Sequence, residues 1–290
     1  MKGAILLTAR ARRTSEYMAL SLFAGLIILF LKSFAVTEAI IPNIYIRRIA
    51  AIAFSVLQLY LPALIFTRLQ KSAGEEPVKV QKDEDFSVKN KITLAFAAFA
   101  FIFSFGMIYS AAFPSAASSF GDTDAALVLL TVVGSAVVPA VFEELLYRKI
   151  FCTALSLHGG VFAAIISALL FGLAHFSFHI FPYAFICGLV LAFVYLKTGS
   201  VKYTVAVHFM SNLLGYVCAY ISTKMNPFDY GNTLMLVIIA LGVMGLGACY
   251  TILPGMKKFD MGSIGNVPSA VFLTFPMVVY IVCAVLMNFI

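Results

Sequence analysis

Two adjacent glutamates and an arginine interrupt an otherwise apolar stretch of the chain. Glu144 and Arg148 are four residues apart with the acid first, which is the favourable order for an ion pair on a helix. Glu143 is rotated by about 100° on the same helix and would lack that partner. Two interpretations stay open: both glutamates anchor a helix end, or Glu144 and Arg148 form a scaffold while Glu143 is a reactive carboxylate. Pro139 removes one backbone hydrogen bond upstream, and a kink there could aim Glu143 into a cavity.

Two histidines lie in later apolar stretches, each four positions from a second candidate residue. Phe171 precedes His175 and Asn212 follows His208, so that each pair would share one face of a helix. A histidine in a membrane span can also be a bundle residue that hydrogen-bonds a neighbouring helix, and this interpretation stays open. Asn212 adds a second polar group to the face of His208, which favours a functional role for that face.

One glutamate and two histidines on three helices could support hydrolysis of an amide by either of two routes. In the first route, Glu143, His175 and His208 match the ligand set of a catalytic zinc, which lowers the pKa of its bound water to about 7. In the second route, Glu143 activates water directly with help from His175. His208 and Asn212 would then donate hydrogen bonds to the oxyanion. The residues alone leave both routes open.

Other proteolytic sites known in membranes fit this sequence poorly. The G-x-S-G motif of a rhomboid-type serine protease is absent, since Ser135 stands in G-S-A. No aspartate lies in the middle of an apolar span, which excludes a membrane aspartyl protease. His175 and His179 have the spacing of a zinc helix, but Phe176 stands where H-E-x-x-H requires its general base.

Composition indicates which elements position these residues. The chain is 62% hydrophobic and 11% charged, whereas about 25% of the residues of soluble domains are charged. A soluble globular protein is therefore excluded. A membrane-spanning helix needs about 20 apolar residues, and we predict an all-α, polytopic transmembrane helical bundle with about eight to nine membrane helices. The candidate spans are Tyr17–Val36, Ile49–Leu69, Ile92–Phe113, Ala125–Phe142, Val161–Phe178, Pro182–Leu196, Tyr203–Ile221, Thr233–Leu253 and Pro268–Asn288.

The chain reads as a single membrane domain over residues 1–290, with a catalytic core at 125–215. The longest polar stretch, residues 70–91, predicts a charged cytoplasmic linker. A basic start and an apolar run at residues 10–31 also resemble a signal peptide, so cleavage of the first helix stays open.

Lysine and arginine predict the orientation, because they are enriched in cytoplasmic loops. With the N-terminus in the cytoplasm, nearly all of the 20 basic residues fall in cytoplasmic segments. The exceptions are Lys32, Arg47, Arg48 and Lys224. This distribution accounts for most of the basic charge, so no nucleic-acid partner is expected.

Taken in order, the motifs E-E-x-x-x-R, F-x-x-x-H and H-x-x-x-N resemble those of the CPBP family. This family comprises the CAAX prenyl endopeptidases and the related bacterial bacteriocin-processing and immunity proteins, often called Abi proteins. The resemblance covers roughly Ala125 to Gly215. It implies that Glu143 and His175 activate the catalytic water, and that the site opens to the cytoplasmic side.

The resemblance also implies roles for the remaining motif residues. It assigns His208 and Asn212 to oxyanion stabilisation, with Glu144, Arg148 and Phe171 in support. The family is conventionally classed among metalloproteases, so zinc is a possible cofactor.

We therefore expect an intramembrane endopeptidase that hydrolyses peptide bonds of membrane-associated proteins or peptides near the cytoplasmic face of the bilayer. Short loops favour a multi-pass protein of the bacterial inner membrane. The main alternative is a non-catalytic immunity or scaffold protein of the same family. A secondary transporter is a third alternative, but it would show inverted repeats, whereas the polar residues here cluster in one stretch.

Overall fold

The structure is a computed structural model that describes residues 2–75, 78, 80, 86–114, 124–253 and 273–289. These residues are almost entirely helical and contain no strand. Seven of their helices are long and apolar enough to cross a membrane, and two apolar helices are shorter. In order, the helices are α1 (Lys2–Ala35), α2 (Ile44–Ser72), α3 (Val88–Ala112), α4 (Ala125–His158), α5 (Gly160–Leu173), α6 (Phe181–Thr198), α7 (Val201–Ser222), α8 (Pro227–Ile252) and α9 (Phe275–Leu286). The predicted all-α, polytopic fold is confirmed.

Side-chain caps explain where several helices begin. The Asn43 side chain accepts hydrogen bonds from two backbone N–H groups in the first turn of α2, and Asp124 does the same for α4. Ser87 caps α3 through the N–H of Asn90. Such caps satisfy donors that have no partner within the helix.

The ends of several predicted spans are wrong. The helix α4 continues to His158 rather than ending near Phe142, because the charged residues that follow Phe142 are accommodated within the helix. Helix α5 ends at Leu173 rather than Phe178. The predicted start of the last span, Pro268, lies outside the described residues, as do residues 76, 77, 79 and 81–85 of the predicted linker. The two ends of that linker belong to α2 and α3.

The hairpin between α4 and α5 turns at two consecutive glycines, Gly159 and Gly160. Gly159 has φ +109°, a conformation that a residue with a Cβ rarely adopts. Helix α5 begins at the next residue, Gly160.

Two stretches of α4 are wound as π-helix, Val133–Val137 and Glu144–Cys152. A π-turn closes an i→i+5 hydrogen bond, is rare, and occurs frequently at functional sites. Glu143 is the last residue before the second stretch, so both candidate glutamates lie where the winding of α4 changes.

The chain divides into two compact units, and the prediction of one domain over residues 1–290 stays a prediction. Unit 1 comprises Met1–Gln81, Phe142–Ala192 and Asp260–Ile290. In it, α1 packs on α2 and α9, and the second π stretch packs on α2 and α5. Unit 2 comprises Lys82–Val141 and Phe193–Phe259. In it, α3 packs on α7 and α8, and the first π stretch packs on α7.

Candidate active site

An ion pair lies in the core of unit 1. Arg148 Nε is 3.3 Å from Glu144 Oε2, and both side chains are 0% exposed. This is the pair that the four-residue spacing predicts. Moving either side chain away would leave the other buried charge without its partner. The ion pair therefore stabilises the turn of α4 from Glu144 to Arg148.

The Phe171 ring joins this ion pair to the candidate histidine. The guanidinium carbon of Arg148 lies 4.5 Å from the centroid of the ring, which is a cation–π distance. The ring of Tyr147 meets the same phenyl group edge-on at 5.4 Å, and the ring of His175 does so at 5.0 Å. The F-x-x-x-H motif therefore places one aromatic ring between the arginine and the imidazole.

His175 does not lie on a helix, and the prediction that Phe171 and His175 share a helical face is wrong. Helix α5 ends at Leu173, and the N–H groups of His175 and Phe176 make i→i+3 bonds to Gly172 and Leu173. Phe176 follows with φ 48°, which is incompatible with a continuing right-handed helix.

A backbone hydrogen bond nevertheless orients the His175 ring. Its Nδ1 lies 2.9 Å from the carbonyl oxygen of Phe171. Since a carbonyl can only accept, Nδ1 is the donor, and a neutral ring then presents Nε2 as its acceptor. The imidazole is part-buried and is suited to receive a hydrogen bond from water.

The two adjacent glutamates have different surroundings. Glu144 is enclosed with Arg148, whereas Glu143 is only half-buried. This difference agrees with separate roles for the two carboxyl groups.

Unit 1 also contains contacts that the motifs do not reveal. The Ser167 hydroxyl of α5 donates to the carbonyl oxygen of Tyr147 at 2.8 Å. A Cβ on Gly188 of α6 would lie 3.0 Å from the backbone of Ala168, so these two helices approach closely because glycine is present. Serine and glycine are common in such apolar runs, so neither position was distinctive in the sequence.

His208 and Asn212 lie on α7 in unit 2, one helical turn apart. His208 is 9% exposed, and Asn212 is half-buried. The Asn212 side-chain nitrogen donates to the backbone carbonyl oxygen of Ser135 at 3.3 Å. Pro139 has no N–H, so it cannot make the usual i→i+4 bond to that carbonyl. The proline therefore favours the bond that orients the Asn212 carboxamide.

The structure thus places the predicted site residues in two sets, one in each unit. Glu144, Arg148, Phe171 and His175 form one contact cluster in unit 1, with Glu143 adjoining it in the chain. His208 and Asn212 form the second set in unit 2. That both sets act on one substrate stays a prediction.

The described side chains show no arrangement for a metal ion. No group of three or more His, Cys, Asp or Glu residues in that part of the chain could hold one. The predicted zinc ligand set of Glu143, His175 and His208 stays a prediction.

One comparison with known proteins identifies the segment that carries the site residues. Residues 125–214 match a family model described as type II CAAX prenyl endopeptidase, Rce1-like. The match begins with α4 and ends two residues after Asn212, so it contains all three motifs. No curated protein and no solved structure shows a significant match to the chain.

Proposed function

We propose that this chain is an intramembrane endopeptidase, because residues 125–214 match the family model of type II CAAX prenyl endopeptidases. Its substrates are membrane-associated proteins or peptides, and it cleaves them near the cytoplasmic face. The membrane location is supported by the seven helices long enough to span a bilayer. The cytoplasmic opening and a bacterial inner membrane rest on the Lys and Arg distribution and on the short loops.

The single observation that carries this proposal is the unequal environment of the paired glutamates. Arg148 binds the fully buried Glu144 inside the protein, whereas Glu143 is half-buried, so that its carboxylate is accessible to water. The same arginine packs on Phe171, and Phe171 packs on His175. A rigid core therefore lies directly beside the proposed base and its assisting imidazole.

In the proposed reaction, Glu143 is the general base. A water molecule attacks the scissile carbonyl carbon, and its proton passes to the Glu143 carboxylate. His175 Nε2 accepts a hydrogen bond from the same water, because Nδ1 is already committed to the Phe171 carbonyl. The two groups thereby orient the oxygen lone pair of water toward the carbonyl.

The resulting oxyanion needs hydrogen-bond donors. His208 and the Asn212 carboxamide take this role, as the family resemblance implies. Asn212 has one N–H bound to the Ser135 carbonyl and a second N–H for the oxyanion. A donor held in place before reaction costs no reorganisation when the charge develops.

Collapse of the tetrahedral intermediate completes the reaction. The C–N bond breaks, and the proton held by Glu143 passes to the departing amine. The immediate products are a carboxylic acid and an amine, and transfer of the second water proton from the acid to the amine gives a carboxylate and an ammonium group. The protein is returned to its starting protonation state.

The test is cleavage of membrane-anchored peptides by the purified protein in lipid vesicles. Glu143→Gln and His175→Ala should each lower kcat by at least about a hundredfold without lowering the unfolding temperature. Their matched controls are Glu16→Gln, the half-buried ion-pair partner of Arg12, and the exposed His179→Ala. Both controls should retain wild-type activity. Equal cleavage by Glu143→Gln and wild type would refute the mechanism, and a wild type that cuts no substrate would favour the scaffold alternative.

Metal dependence distinguishes the two routes to an activated water. We propose the direct route, so dialysis against a strong chelator should leave kcat unchanged, and metal analysis should find no stoichiometric zinc. One zinc per chain in the wild type, lost together with activity in His175→Ala, would establish the metal route instead.

A further inference from the structure

The Ser211 hydroxyl on α7 makes no hydrogen bond within the described part of the fold. The residue is 8% exposed, and its Oγ has no hydrogen-bond partner among the described residues. A buried hydroxyl without a partner carries a desolvation penalty that a methyl group would not. A structural role therefore does not explain a serine at this position.

Other hydroxyls of the same helix behave differently. Thr204 donates to the Val201 carbonyl at 3.0 Å, and Ser222 donates to the Ala219 carbonyl at 2.7 Å. Such local bonds to the preceding turn are the usual solution for a hydroxyl inside a helix. Ser211 does not adopt this solution.

The position of Ser211 on α7 coincides with the proposed oxyanion donors. It follows His208 by three residues and immediately precedes Asn212. Residues three and four apart on a helix are neighbours, with about 5–6 Å between their Cβ atoms. Viewed along the axis of α7, Ser211 and Asn212 therefore lie on either side of His208, one turn farther along the helix.

We propose that Ser211 is a further catalytic residue, whose Oγ–H donates a third hydrogen bond to the oxyanion formed from the substrate peptide carbonyl. This assignment rests on the proposed function and extends it by one residue. The bond is absent in the free protein and forms as the carbonyl oxygen becomes negative. It therefore stabilises the transition state more than the ground state and acts on kcat.

A hydroxyl without an internal partner suits this task. No existing hydrogen bond has to break when the substrate carbonyl arrives, so the donor is available at no exchange cost. In the free protein this unpartnered hydroxyl lowers stability through its desolvation penalty. Functional residues often reduce stability in this way.

The experiment combines activity and stability of Ser211→Ala in the same vesicle assay. We expect kcat to fall about a hundredfold to a thousandfold with KM unchanged, while the unfolding temperature is equal or higher. The matched control is Ser104→Ala on α3 of the same unit, because its Oγ is also buried without a partner. This control should show the same effect on stability and wild-type kcat.

A third variant tests the hydroxyl itself. Ser211→Thr retains an O–H donor and should recover most of the kcat that Ser211→Ala loses. Unchanged kcat in Ser211→Ala, a change confined to KM, or an equal fall in Ser104→Ala would overturn this assignment alone. A wild type that cleaves nothing would overturn the proposed function and this assignment together.

Discussion

At the scale of single residues, the side chains that neutralise each other's charge are different from those proposed to react. Glu144 and Arg148 form an ion pair in the core, and the phenyl ring of Phe171 covers the guanidinium. His175 contacts that ring but hydrogen-bonds the backbone, so its orientation does not depend on a charged partner. The groups proposed to react, Glu143 and His175, are therefore neighbours of the buried ion pair but are not members of it.

The ion pair predicts a specific pattern of stability in single and double variants. Arg148→Ala should cost about 3–5 kcal/mol, because it leaves the Glu144 carboxylate buried without its cation. The double variant Glu144→Gln with Arg148→Met should recover much of that loss, since neither charge is then buried. Thermal unfolding in detergent measures both effects. A well-folded but inactive Arg148→Ala protein would instead assign Arg148 to the chemistry.

At the scale of elements, helix α4 is shaped by its winding and by its proline. The two π stretches flank the Val138–Glu143 segment, which contains Pro139. By withholding an N–H from the Ser135 carbonyl, the proline favours a bond from α7 to α4. The local backbone chemistry of one helix thus orients a side chain of another.

Pro139→Ala tests this coupling. The new N–H would compete with Asn212 for the Ser135 carbonyl. The carboxamide should then lose its orientation, and kcat should fall by up to about a hundredfold to a thousandfold. Pro62→Ala is the matched control, since Pro62 also lies inside a helix but outside the segment that matches the family model. The vesicle assay should find kcat unchanged in this control. Full activity in Pro139→Ala would show that the Asn212 carboxamide does not depend on this carbonyl.

Hydropathy and spacing predicted the helices and the Glu144–Arg148 pair. They did not predict the end of α5, because apolar residues continue through Phe178 while the backbone turns at Phe176. They also missed the hydrogen bonds of Ser167 and the Ser135 carbonyl, since these depend on partners in other helices. Periodicity reports which residues prefer apolar surroundings, but not which winding or which distant acceptor the backbone adopts.

At the scale of the whole molecule, each unit carries part of the predicted site. Unit 1 holds Glu143 and His175, whereas unit 2 holds His208 and Asn212. Helix α7 of unit 2 carries Lys202, which is predicted to be cytoplasmic, in its first turn. It ends beside Lys224, one of the few basic residues predicted on the other side of the membrane. The two ends of this helix therefore report the orientation of the chain.

The orientation can be measured with two cysteine substitutions. After replacing the five native cysteines with alanine, Lys224→Cys should react with a membrane-impermeant maleimide added outside intact cells. Lys202→Cys, the control at the other end of α7, should react only after permeabilisation; both lysines are exposed. The reverse pattern of labelling would contradict the predicted cytoplasmic N-terminus.

The bond from Ser167 to Tyr147 has a consequence for sequence divergence. Its acceptor is a main-chain oxygen, which every amino acid supplies, so replacement of the tyrosine would not by itself remove the link. The donor is a single hydroxyl, and only serine or threonine could provide it at that place. Among distant homologues, we expect position 147 to vary in identity while position 167 stays restricted to small hydroxylated residues.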